Sequence, residues 1–124
     1  MGKPTPDNFG NEGARAYLGL LASRLLATIN EILDNDERLD LDEDGESMFM
    51  PSVELLALLC ERYAAQPPHP DHVRSWGERY LAVFDEQIDG FKRLSQEFKV
   101  DRRRAIENTF RWLETLAETH WAGG

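Results

Sequence analysis

The run Pro51-Ser-Val-Glu-Leu-Leu-Ala-Leu-Leu-Cys-Glu-Arg-Tyr-Ala-Ala65 most limits what this chain can fold into. Val53, Leu56, Cys60, Tyr63 and Ala64 fall on one stripe at helical spacing, and Leu55, Leu58 and Leu59 lie on its flanks. The apolar arc is therefore wider than that of an ordinary surface helix. A helix of this kind needs neighbours on more than one side, which makes it the expected buried centre of the fold. It is too short for a bilayer, which takes about 20 apolar residues, and Glu54 and Glu61 interrupt it. Pro51 suits a first helical turn, with Ser47 or Ser52 as capping oxygens.

The rest of the chain supplies the neighbours. Residues 1–10 carry too many breakers for a helix and read as an extended arm that docks through Phe9, after which Asn11 caps a first helix. From Ala14, Tyr17, Leu18, Leu21, Leu25, Ile29, Ile32 and Leu33 recur at helical spacing. Eight of the thirteen residues 34–46 are acidic, and like charge at that density opposes a packed helix, so they are expected to form the principal loop. The proline-rich connection 66–70 is extended. Asp71 then caps a third helix whose stripe runs through Val73, Trp76, Gly77, Tyr80, Leu81, Phe84, Gln87 and Ile88. Gly90 either bends that helix or ends it before Phe91, Leu94 and Phe98. A last helix starts at Asp101, buries Ala105, Ile106, Phe110, Leu113, Leu116 and Ala117, and leads to the Gly123-Gly124 tail. The expected fold class is all-α: a compact bundle of four to five helices forming one domain over residues 1–124.

Charge and cysteine content then remove whole classes of function. A net charge of −9 repels a phosphate backbone, so nucleic acid is not an expected partner. Cys60 is the only cysteine, which forbids an internal disulfide, and its place in the apolar run makes it a small core residue. The opening residues contain no apolar segment of the secretory kind, so a soluble, cytoplasmic protein is expected, without membrane contact. Neither a nucleophile elbow nor a phosphate-cradling glycine loop is present. None of the three histidines has a glutamate three residues before it, as a di-iron bundle requires.

Three groups of residues carry chemistry. Asp40, Asp42 and Asp44 followed by Gly45 match positions 1, 3, 5 and 6 of a calcium loop, and Glu46 adds a carbonyl or carboxylate oxygen. The twelfth position, where a bidentate glutamate closes such a shell, is Pro51. His69 and His72, flanking Pro70 and Asp71, place two imidazoles within four residues, the beginning of a transition-metal site with no third ligand in sight. Half of the 14 Lys and Arg residues lie between Lys92 and Arg111, opposite in sign to the loop at 34–46. Such a segment either neutralises the acidic one across the fold or meets a charged partner. Trp121 is expected either to pack back on the bundle or to stand out as an anchor.

The opening Asn8-Phe9-Gly-Asn11-Glu12-Gly-Ala14, leading into a leucine-rich helix, resembles a small bacterial family of unknown function whose members begin with a glycine-rich arm and a Phe-x-Asn-Asp-x-x-Ala motif. Glu12 stands where that motif has aspartate, and Pro4 and Pro6 where glycines precede the phenylalanine. The resemblance implies a bacterial, compact helical domain in which Phe9 and Asn11 are structural, and it lends no catalytic residue.

The leading expectation is a non-enzymatic domain, monomer or homodimer, that binds another protein. It would do so through Asp36, Asp40, Asp42 and Asp44, in the manner of an immunity protein meeting a basic toxin surface, and without a cofactor. The alternatives are a calcium-binding domain using Asp40, Asp42, Asp44 and Glu46, and a metal-dependent hydrolase built on His69 and His72.

Overall fold

Four α-helices account for most of the chain: α1 (Glu12–Leu33), α2 (Met50–Tyr63), α3 (Pro70–Gln87) and α4 (Gln96–Ala122). The structure is a computed structural model that describes residues 3–122; Met1, Gly2 and the Gly123-Gly124 tail lie outside the described residues. Among those residues there is no strand, as the absence of any period-2 pattern requires. α2 packs on α1 and on α4, and α4 on α3, so the apolar run does form the middle of the bundle. Ile29, Ile32, Phe49, Val53, Leu56, Val73, Tyr80, Phe84, Ile106 and Leu113 are almost completely enclosed. Each such side chain contributes about 1.5–3 kcal/mol relative to exposure. Phe49 sits at the crossing, its ring 5.1 Å from Tyr80 and 6.3 Å from Phe110.

Helix ends follow local chemistry, and two differ from the sequence reading. Asn11 caps α1, its Oδ1 accepting from Ala14 N at 2.8 Å, and Phe9 stacks on Tyr63 at 4.6 Å. α3 is capped by His69 rather than Asp71: His69 Nδ1 accepts from the Asp71 amide at 3.1 Å. The cause is Pro70, which holds His69 extended and itself fills the first helical position. α4 begins at Gln96 rather than Asp101, because Ser95 Oγ accepts from Phe98 N at 3.0 Å and provides an earlier cap. α3 stops at Gln87. A 3₁₀ turn over Ile88–Gly90 and a loop lead into α4, so Gly90 ends that helix. Phe98 consequently lies on α4, where it is exposed.

The acidic stretch is the largest departure. It is a 3₁₀ turn over Asp36–Leu39 followed by a wide helical segment over Leu41–Phe49 that kinks at Glu43, where the backbone is not helical (φ −103°, ψ −119°), before it runs into α2. α2 therefore starts without a side-chain cap, and Ser47 instead donates to the Glu43 carbonyl. Gly45 makes this path possible. A Cβ there would collide with the Leu39 carbonyl oxygen and come within 2.9 Å of that of Asp40. At its other end α2 closes on Ala64 in the left-handed region, φ 58°, with the Ala65 amide bonded to Leu59 O at 3.2 Å. Tyr63 and Ala64, expected inside, are both exposed.

Candidate functional site

The carboxylates of the acidic segment point to different partners. Asp36 accepts from Arg79 on α3. Asp40 accepts from Gln87 Nε2 at 2.7 Å, while Gln87 Oε1 accepts from the Leu41 amide at 2.9 Å. Asp44 accepts from Arg38 Nε at 2.7 Å within the segment. Glu46 accepts from Arg102 Nε and Nη2 at 2.7 and 3.0 Å and from the Tyr80 hydroxyl at 2.5 Å. Of the residues picked out for partner or calcium binding, Asp42 alone has no hydrogen-bond or ion-pair partner among the described residues. The structure does not bring Asp40, Asp42, Asp44 and Glu46 together on one point, and no group of three acid, histidine or cysteine side chains converges among the described residues. The density of like charge is offset because Arg79, Gln87 and Arg102 arrive from helices far along the chain. Only Arg102 of the basic segment reaches the acidic one; Arg103 pairs with Asp85 and Glu107, and Arg104 with Asp101.

Tyr80, Glu46 and Arg102 form a part-buried cluster of titratable groups that perturb one another. Burial raises the Glu46 carboxyl, but the bonds from Arg102 and Tyr80 and the guanidinium charge outweigh it and hold the group below its ordinary value. Burial, reinforced by the bond to Glu46, lifts the Tyr80 phenol far above its usual range. Tyr80 is fully enclosed, so this cluster faces the core and its geometry ties α3 and α4 to the acidic segment. Cys60 behaves likewise: burial pushes its thiol up to about 11, the reverse of what an activated nucleophile needs.

His69 and His72 stand with ring centroids 6.2 Å apart, and His69 Nδ1 is occupied by the Asp71 amide. Trp121 packs back, its Nε1–H donating to Pro67 O at 3.2 Å and its ring 5.5 Å from that of His69.

The surface with the clearest capacity to act lies elsewhere, along α1 and α2. Leu21, Leu25, Leu55 and Leu59, with Arg24 and Thr28, line a groove of about 320 Å³ between the two helices. Leu20 and Leu58 extend it at helical spacing, and Leu55 remains 50% exposed. α1 is long and apolar enough to cross a membrane by length and composition, yet only 22% of its most apolar window is buried. Arg15, Arg24 and Arg62, the cations of these two helices, have no carboxylate partner among the described residues, whereas six of the seven Lys and Arg residues of α3 and α4 have one. The breadth of the apolar arc on α2 was the signal in the sequence. It reads as a need for intramolecular neighbours, and in the fold one of its sides has none.

The chain matches no family model, no curated protein and no solved structure.

Proposed function

We propose that this chain is a non-enzymatic protein-interaction domain whose α1/α2 groove receives an amphipathic helix that is leucine-rich on one face and acidic on its borders. The observation that carries this reading is the coincidence of exposed leucines at Leu20, Leu55 and Leu58 with Arg24 and Arg62, which have no carboxylate partner among the described residues; Arg62 only donates to the neighbouring Tyr63 hydroxyl. In a chain of net charge −9, cations without a carboxylate partner beside an apolar groove give it local complementarity to carboxylates. A concave seat between two helices also fits the ridge of a third better than it fits a flat bilayer. Anionic lipid would moreover meet a net negative protein.

The test uses two synthetic helical peptides with leucines at i, i+3, i+4 and i+7, one flanked by Glu and one by Lys, titrated by fluorescence anisotropy. The Glu peptide binds the parent. Leu55→Asp weakens it by about 10- to 100-fold, as losing one buried leucine implies, and Arg24→Glu reverses the preference between the peptides. Equal binding of both peptides, or binding unaffected by Leu55→Asp, refutes the reading. So does co-sedimentation with phosphatidylglycerol vesicles in place of peptide binding. Glu31 shares the α1 face with Arg24 two turns away, so a concentration-dependent dimer broken by Leu55→Asp would assign the groove to a second copy instead.

A further inference from the structure

On the opposite flank of α1 from that groove lies a larger cleft of about 590 Å³, walled by α1, the 66–69 connection, the start of α3 and the end of α4. Four aromatic rings face it: Trp76, Trp121, His69 and His72. Ser23, Asn30 and Gln66 add the polar groups, and the side chains of these three make no hydrogen bond among the described residues. Among the described residues no Lys, Arg, Asp or Glu lines the cleft, although such residues make up 30% of the chain. We propose that this cleft is a binding site for an uncharged purine-type heteroaromatic, a base or nucleoside held between ring faces and read by amides.

Each part of the wall narrows the class. Trp121 has already committed its only donor to Pro67 O, so what it offers a ligand is its ring face. Bases stack on such a face whatever their edge pattern, because each has a π-face. His69 Nδ1 accepts from the Asp71 amide, which in the neutral ring places the proton on Nε2 and makes that atom a donor. Asn30 and Gln66 each present a carbonyl acceptor beside an NH₂ donor, the paired pattern that the edge of a purine complements. A purely apolar ligand would dry these amides without bonding them, which opposes its binding. A phosphorylated ligand finds no cation in the wall and a net negative protein around it. The volume falls within the range of about 300–1,000 Å³ usual for small-molecule sites. A second recess of about 240 Å³, sharing Ser23, Leu26, Gln66 and Pro68 with the first and reaching Gly19 and Leu56, leaves room for a ribose.

The experiment is a titration of the full chain with adenosine, guanosine, AMP and maltose, followed by amide chemical shifts and by tryptophan fluorescence. The nucleosides are expected to bind in the micromolar to low-millimolar range, shifting residues around Asn30, Gln66 and His72, and AMP to bind at least several-fold more weakly. Trp121→Ala weakens nucleoside binding by about 10-fold or more. Asn30→Ala, on the exposed side of α1 and harmless to the core, weakens it as well. Absence of shifts with either nucleoside at 5 mM overturns the proposal. AMP binding as tightly as adenosine, maltose binding in preference, or Trp121→Ala and Asn30→Ala both leaving the affinity unchanged does the same. Leu55→Asp leaves nucleoside binding intact, so the outcome is independent of the α1/α2 groove.

Discussion

Replacing Glu46 by alanine removes the acceptor on which Arg102 and Tyr80 both depend. Two bonds from a guanidinium and one from a phenol are lost, and Arg102 is left in a part-buried position without its counter-charge. Hydrogen bonds to charged groups contribute about 1.5–3 kcal/mol each, and breaking a fully buried ion pair costs about 3–5 kcal/mol. The two side chains keep 32% and 26% of their exposure, so water screens part of this and the expected loss is about 2–3 kcal/mol. For a domain of this size that lowers Tm by about 6–15 °C. Glu46→Gln retains a neutral acceptor for Tyr80 and should lose about half as much. The pH dependence has a fixed sign. The folded-state pKa lies below the ordinary value of 4.5, so the native state releases this proton more readily than the unfolded one. The stabilisation is therefore complete above the unfolded pKa and disappears as the pH falls through the folded one. Thermal melts followed by circular dichroism at pH 7 and pH 3 provide the assay. The gap between parent and Glu46→Gln should be largest at pH 7 and narrower at pH 3. A Glu46→Ala protein melting within 2 °C of the parent at pH 7, or a gap that does not narrow on acidification, refutes the argument.

Three further changes test the backbone. Gly45→Ala should destabilise by more than about 2 kcal/mol, since a Cβ meets the Leu39 and Asp40 carbonyls, while Gly90→Ala, with open space around its Cβ, should stay within about 1 kcal/mol of the parent; urea denaturation of both measures the contrast. Ala64→Gly relieves a left-handed residue at the end of α2 and should raise the urea midpoint by an amount equivalent to about 1 kcal/mol.

How far the fold could be read in advance depended on the range of the interactions that decide each part. The stripes of α1, α3 and α4 are local patterns, and Ile29, Ile32, Tyr80, Phe84, Ile106 and Leu113 lie inside as their spacing indicates. The Asn11 cap is equally local. The acidic segment is decided by residues tens of positions away: without Arg79, Gln87 and Arg102 in view, Asp36, Asp40 and Glu46 look like a repelling cluster, and a helical course through them is invisible. The calcium-like spacing there serves no common centre: Asp40 bonds Gln87 on α3, Asp44 bonds Arg38 within the segment, and Asp42 has no partner among the described residues. Leu55 and Leu58 pose the opposite difficulty. Their apolarity is plain in the sequence, but which flank of α2 goes uncovered depends on where α1 and α4 dock.

The pairings of the acidic segment have a kinetic consequence. Asp36 with Arg79, Asp40 with Gln87, and Glu46 with Tyr80 and Arg102 span 43, 47, 34 and 56 residues of chain. Contacts at such separation repay their loop-closure cost only after the helices that carry them are in place. They belong to the last stage of assembly and the first of disassembly. Acid or salt that weakens them speeds escape from the native state far more than it slows the way in, and the lifetime of the folded protein is set where its charges meet.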